Sequence, residues 1–298
     1  MEKRSSIVAI TGASGLVGLP AIDALLAQGL QLRVLTSSRQ SQEKLDSRGV
    51  QETLLGDFRS SQDLDRLLAG ASTLLHIPPA VAEDEHEIGY KVIAAAQRAN
   101  LEHLIFVSCF HSLIGELRHH RNKLLVEQAL ARSGLTYSVL QPAMFMQNLD
   151  YIWPKIEAGV FEWPWDPAQR YTMVDTHDLA QAIARVASDS SLRGGTYELC
   201  SADSISVTQM AEALGAALGR PLRTGRQDPE EWAAAMRAAG APNWSIETVK
   251  GMCRYHDELG YAGGNAFVLE ALLGRPPTDY RQFAARVADA RLVTGEVH

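Results

Sequence analysis

Cysteine is scarce in this chain. Cys109, Cys200 and Cys253 lie far apart, are odd in number and form no Cys-x-x-Cys pair. Neither a disulfide framework nor a zinc cluster is therefore expected. No apolar run approaches the roughly 18 residues of a membrane helix, and the first one, Ile7-Val8-Ala9-Ile10, is too short for a secretory signal. Positive charge is not in surplus either. Lys and Arg number 28 against 35 Asp and Glu, a net charge of −7, which argues against binding nucleic acid by direct charge. What is present is the composition of a folded protein, 46% hydrophobic and 21% charged over 298 residues, enough for one large or two modest domains. A cytoplasmic globular protein is the expectation, with its oligomeric state open.

The first half alternates short apolar runs with amphipathic stretches. Strands are expected at Ile7–Thr11, Leu32–Leu35, Val50–Leu55, Thr73–Ile77, Leu104–Val107 and Tyr137–Leu140. Helices are expected at Leu16–Gln28, Ser61–Ala69, Glu87–Asn100 and Arg118–Ser133. Nearly continuous apolar strands separated by helices imply a parallel sheet covered on both faces, a doubly wound α/β fold. Beyond Pro142 the regularity fails, and Phe145, Tyr151, Trp153, Phe161, Trp163, Trp165 and Tyr171 crowd one segment. Tyr171–Val174 and Thr196–Leu199 are expected to rejoin the sheet, and the pattern after residue 205 is helical. The resulting division is a nucleotide-type domain over 1–150, with 170–200 returning to it, and a smaller, mostly helical cap over 151–298.

The strongest chemical signal joins the first strand to the first helix: Thr11-Gly12-Ala13-Ser14-Gly15-Leu16-Val17-Gly18. Gly12 permits a tight turn, Gly15 lets backbone approach a pyrophosphate, and Gly18 allows close helix–sheet packing. Ser14, Leu16 and Val17 complete a loop whose helix N-terminus offers free N–H groups to phosphate. The alternative is a loop of small residues that serves packing alone.

An acid about 20 residues past the glycines would bind the ribose 2′-hydroxyl of NAD. That position reads Thr36-Ser37-Ser38-Arg39, with no carboxylate until Glu43. Ser37, Ser38 and Arg39 suit a 2′-phosphate, so NADP(H) is favoured over NAD(H). Arg39 as a solvated helix-start residue is the competing reading. Asp57 and Phe58 stand where adenine would be met, or form a plain turn. Ile77, Pro78, Pro142, Ala143 and Phe145 are further expected cofactor contacts.

Thr11–Gly18, Gly56-Asp57-Phe58, Ser133-Gly134-Leu135-Thr136-Tyr137 and Pro142–Asn148 resemble the NmrA-like branch of atypical short-chain dehydrogenases, as does Leu273-Gly274-Arg275-Pro276-Pro277-Thr278-Asp279-Tyr280-Arg281-Gln282-Phe283. The resemblance implies a Rossmann domain with a small C-terminal substrate domain. It also implies either an NAD(P)H-dependent reductase or a redox-sensing regulator that binds the cofactor without turnover. Proteins resembling this one usually carry Tyr-x-x-x-Lys on the helix after the fifth strand, both groups on one face. Here Lys123 stands at the lysine position and His119 at the tyrosine position.

His119 can exchange a proton near neutral pH, although a cation four residues away favours its neutral ring. It is equally readable as a half-exposed helix-start residue, and for His120 that reading is preferred. Ser108 ends the fifth strand, either supporting the catalytic site or satisfying the strand end. Cys109 reads as a core cysteine. The aromatic segment suits both a flat slot for a small apolar or aromatic substrate and the core of the cap.

Overall fold

The structure is a computed structural model that describes residues 7–294. The chain divides into two units. Of the described residues, the first comprises 7–142, 176–199 and 271–274, and the second 143–175, 200–270 and 275–294.

In the first unit the elements alternate: β1 Ile7–Thr11, α1 Gly18–Ala27, β2 Gln31–Thr36, α2 Arg39–Asp46, β3 Glu52–Leu55, α3 Ser61–Leu68, β4 Thr73–His76, α4 Glu85–Arg98, β5 His103–Val107, α5 Arg118–Arg132 and β6 Tyr137–Pro142. Together with Thr196–Leu199 the strands form one seven-stranded sheet, which runs Thr196–Leu199, β6, β5, β4, β1, β2, β3. Every neighbouring pair is parallel. Local chemistry sets several of the boundaries. The Ser38 side chain accepts from Ser41 N–H at the start of α2, and Ser60 from Asp63 N–H at the start of α3, which satisfies helix-end donors that would otherwise lack partners.

One face of the sheet is closed by α3, α4 and α5. Ala9, Leu74, Leu104, Phe106 and Val139 from the strands meet Leu64, Leu67, Ile88, Val92, Val126 and Leu130 from the helices. Each such leucine or valine contributes about 1.5–3 kcal/mol by leaving water. The helices lie close together: a Cβ on Gly89 of α4 would stand 2.4 Å from Val126 on α5. On the other face α1 packs with the helix Thr176–Ser188.

Strand order reverses between β1 and β4, where Thr11 lies opposite His76. Such a reversal opens a crevice at the carboxyl ends of the strands, the usual place for a ligand in this architecture.

The second unit is mostly helical, with helices Trp153–Glu157, Val207–Ala217, Pro229–Ala238, Asn243–Leu259 and Tyr280–Thr294. Tyr171–Val174, expected to rejoin the large sheet, instead belongs to the strand Arg170–Val174, which pairs with Met144–Phe145 and Ser204–Ser206. Of the two expected returns, only Thr196–Leu199 takes a place in the parallel sheet. The stretch beyond 205 also holds a strand, Arg223–Arg226, which pairs with Val160–Trp163. A strand of Arg-Thr-Gly-Arg carries no apolar alternation, so its sequence does not announce it.

Candidate functional site

The loop after β1 sets the geometry. Gly12 has φ +69°, and a Cβ there would stand 2.4 Å from the Ile77 carbonyl oxygen. A Cβ on Gly18 would stand 2.3 Å from the Gly12 carbonyl oxygen. Both glycines are therefore required by the protein's own packing. Gly15 is different: its Cβ would meet only the Gly12 carbonyl oxygen, at 3.4 Å. Ser14 and Gly15 face outward, Leu16 is half-buried, and Val17 is buried. Val17 starts α1 without a side-chain cap, and Pro20 in the first turn has no N–H to satisfy. The loop thus leaves an open face over Gly15 at an uncapped helix N-terminus, which suits a phosphate.

Beside it, Ser37, Ser38 and Arg39 are exposed. Ser38 is occupied as the cap of α2. Among the described residues the Arg39 guanidinium has no hydrogen-bond or ion-pair partner. Gly56 N–H donates to the Thr36 carbonyl at 3.0 Å and brings the end of β3 alongside. The Asp57 carboxylate accepts from Arg59 N–H at 2.9 Å, the Asp57 N–H donates to Asp63 at 3.0 Å, and Phe58 leans on the core. Asp57 and Phe58 therefore form a braced turn. Arg59 in turn grips Asp84 through two hydrogen bonds, 2.6 and 3.1 Å, which tie this turn to the start of α4.

On the far side of the reversal, Thr11 Oγ1 lies 2.7 Å from His76 Nδ1. Burial, reinforced by the Lys123 charge, pushes His76 down to about 3, so the ring is neutral. Ile77 is buried against Gly12, and Pro78 is half-buried. Lys123 reaches from α5 to Glu85 Oε1 at 2.8 Å, and its Nζ lies 5.8 Å from the centre of the Phe106 ring. Burial lifts the Glu85 carboxyl above the usual range, and the Lys123 ammonium opposes that lift. Neither Glu85 nor His76 is apparent from the sequence. Asp84-Glu85-His86-Glu87 has the look of a solvated helix start, and the cation that pairs with Glu85 is 38 residues away.

His119 is half-buried, one turn before Lys123 on α5, with its ring edge-on to His120 at 4.3 Å. His120 corrects an expectation: it is buried rather than half-exposed. Its Nδ1 lies 2.8 Å from the His111 carbonyl oxygen, and burial pushes the ring down to about 4.

Ser108 Oγ donates to Glu127 Oε1. The same carboxylate accepts from Ser112 Oγ at 3.2 Å and from Gln141 Nε2 at 3.0 and 3.1 Å. A serine hydroxyl has one proton. With that proton directed to Glu127, Ser108 can accept from an incoming group but not donate to it. Burial pushes the Cys109 thiol up to about 12, which keeps it protonated and unreactive.

Pro142 ends the first unit, and Ala143 and Phe145 open the second. Within the second unit Trp163 and Trp165 stack at 5.0 Å, and Trp165 continues onto Tyr171 at 5.6 Å. Trp165 and Tyr171 are buried, as is Trp153, whose Nε1 donates to Glu157 at 3.0 Å. These rings build that unit's core, and Tyr151 remains exposed. Among the described residues no helix is long and apolar enough to cross a membrane, and no three His, Cys, Asp or Glu stand together as metal ligands.

A parallel sheet in this strand order, with a glycine turn leading from its first strand into an uncapped helix, defines a Rossmann-type fold. The chain belongs to the NmrA-like family, whose pattern it matches over residues 4–280. It is similar to an NAD(P)H azoreductase from Xenophilus azovorans, 25% identical over 291 residues that span 95% of this chain and 99% of that protein. An NADPH-dependent quinone oxidoreductase from Escherichia coli, solved with NADPH, shares the fold with a TM-score of 0.80 and 24% identity, over 94% of this chain and 99% of that one. NmrA, a negative transcriptional regulator solved with NAD, does so with a TM-score of 0.78 and 20% identity, over 99% of each chain.

Proposed function

We propose that this chain is an NADP(H)-dependent reductase that transfers hydride to a carbonyl, quinone or other conjugated small-molecule acceptor. The observation that carries the reading is the loop at Gly15. It is a cradle that a Cβ would fill although the protein itself leaves the space open, and it lies at a helix end that can hold phosphate. Arg39, without a partner among the described residues, and the neighbouring Ser37 hydroxyl suit a 2′-phosphate. The similarity to an NAD(P)H azoreductase supports the reductase class.

In this reading Gly12, Gly15 and Gly18 shape the pyrophosphate cradle, with Ser14, Leu16 and Val17 completing it. Arg39 and Ser37 hold the 2′-phosphate beside Ser38, whose hydroxyl caps α2 and donates to Ser41, and Asp57 and Phe58 border the adenine. Ile77 and Pro78 border the nicotinamide half, and Lys123 donates to its ribose. The bound cofactor supplies the hydride. His119, or water in its place, delivers the proton to the acceptor, and Ser108 acts only as a hydrogen-bond acceptor.

A second reading is a cofactor-binding regulator without turnover. The commitment of the Ser108 proton to Glu127 favours it, as does histidine at the position where related dehydrogenases place tyrosine. Following the loss of NADPH absorbance against a panel of quinones, azo dyes and aryl carbonyls separates the two. Turnover with any member establishes the reductase. Tight NADPH binding with no turnover across the panel refutes it in favour of the regulator.

A further inference from the structure

Lys123 lies on α5 and is only 13% exposed, yet it carries an ammonium group. Several groups face it from the surrounding elements. From β4 comes His76, neutral and with Nδ1 already engaged by Thr11. From β5 come the Phe106 ring and, just beyond the strand, the protonated Cys109 thiol. On its own helix, the ring of His120 is neutral and Glu127 is engaged by Ser108, Ser112 and Gln141. From α4 comes Glu85, 1% exposed and flanked in sequence by Asp84 and His86. Among the described residues Glu85 is the single carboxylate in ion-pair contact with Lys123. Its other oxygen, Oε2, is buried without a hydrogen-bond partner among the described residues.

We infer that Glu85 is a positioning residue that locks Lys123 as a charged hydrogen-bond donor at the carboxyl edge of β4 and β5, where the cofactor's ribose is to be held. The inference rests on the proposed cofactor reading for its use, but not for the pairing itself. A partly buried ammonium keeps its proton because an adjacent anion makes the charged form favourable, and Glu85 is the carboxylate within contact, Glu127 being engaged by Ser108, Ser112 and Gln141. Without that anion, burial favours the free amine, which donates more weakly and no longer attracts phosphate. The lock also has a chemical consequence. A proton held by a buried ion pair is not passed to the acceptor, so Lys123 binds and orients while proton delivery falls to His119 or water.

The test begins with the cofactor-free protein. Lysines are labelled at the ε-carbon, the Lys123 signal is assigned by its disappearance in Lys123→Met, and its shift is followed against pH. In Glu85→Gln, which keeps the size and an acceptor but loses the charge, the midpoint should fall by about one to three pH units. Glu85→Asp, which restores the charge, should recover most of that shift. Calorimetric titration with NADPH then reads the use of the lock. The pH above which affinity is lost should move down by the same amount in Glu85→Gln.

An unchanged Lys123 midpoint in Glu85→Gln overturns the lock. Should Glu85→Gln fail to fold, Glu85→Ala, which removes the carboxylate altogether, carries the test, and an unchanged Lys123 midpoint there overturns the lock equally. If the midpoint moves but the NADPH affinity profile does not, the role of Lys123 toward the cofactor is overturned. If the wild type binds no NADPH at all while the Lys123 midpoint still shifts, the proposed function fails and the pairing stands.

Discussion

Substitution at the three loop glycines separates folding from ligand binding, because the structure assigns their constraints to different neighbours. Gly12→Ala would place a methyl group 2.4 Å from a backbone oxygen in a left-handed conformation. The backbone term alone costs about 1–2 kcal/mol, and the overlap with Ile77 brings the loss to about 3 kcal/mol, or roughly 6–12 °C in Tm for a chain of this size. A Cβ at position 15 has no such penalty, since its nearest neighbour is a carbonyl oxygen at 3.4 Å. Restricting the unfolded chain at that position even favours the folded state by about 0.4–1 kcal/mol. Thermal unfolding should therefore show Gly15→Val within about 2 °C of wild type. The valine instead occupies the face that a pyrophosphate needs, and calorimetry should show NADPH affinity reduced at least about a hundredfold, some 2.8 kcal/mol. A folded Gly15→Val protein that binds NADPH like wild type would refute the cradle. The loop would then be a packing device, as Gly12 and Gly18 already are.

Arg39→Ala should bring NADPH and NADH affinities together from a wild-type preference of at least about tenfold, and calorimetry showing equal wild-type affinities would remove the 2′-phosphate assignment. His119→Phe should leave nucleotide affinity nearly unchanged while lowering kcat by about 10²-fold; full retention of kcat and KM excludes histidine chemistry. Acid should destabilise the fold through buried histidines. His76, His103 and His120 are held neutral, down to about 3, 4 and 4 respectively, whereas an unfolded chain protonates all three near about 6.5. The stability they contribute is present above that pH and is lost as the pH falls toward about 4, with a slope reaching about 4 kcal/mol per pH unit. His103→Gln should reduce that share of the slope by about a third in urea midpoints compared between pH 7 and pH 5, and an unchanged slope would contradict the burial argument.

What the sequence determined by itself is local. Apolar runs, turn glycines and the Gly12–Gly15–Gly18 spacing were legible as strand, turn and helix, because backbone preference and side-chain periodicity act over a few residues. From their alternation the parallel sheet follows. The three glycines look alike in sequence, however, and only the folded chain shows that two are required by Ile77, Ala13 and the loop's own carbonyls while Gly15 is open. The same holds for destinations: Tyr171–Val174 reads as a strand, but its pairing with Met144–Phe145 and Ser204–Ser206 is a tertiary choice among edges. Periodicity reports that a face is buried, not what covers it. His120 could be read as a helix-start residue because nothing adjacent reveals that the His111 carbonyl would receive its ring. Most of all, the polar pairs beneath the site join residues far apart in the chain, Thr11 with His76, Ser108 with Glu127 and Glu85 with Lys123. Each partner alone is an ordinary surface-type residue. Burial turns them into obligatory pairs, since a charge or hydroxyl removed from water must find its counterpart within the protein, and only the tertiary structure decides which counterpart that is.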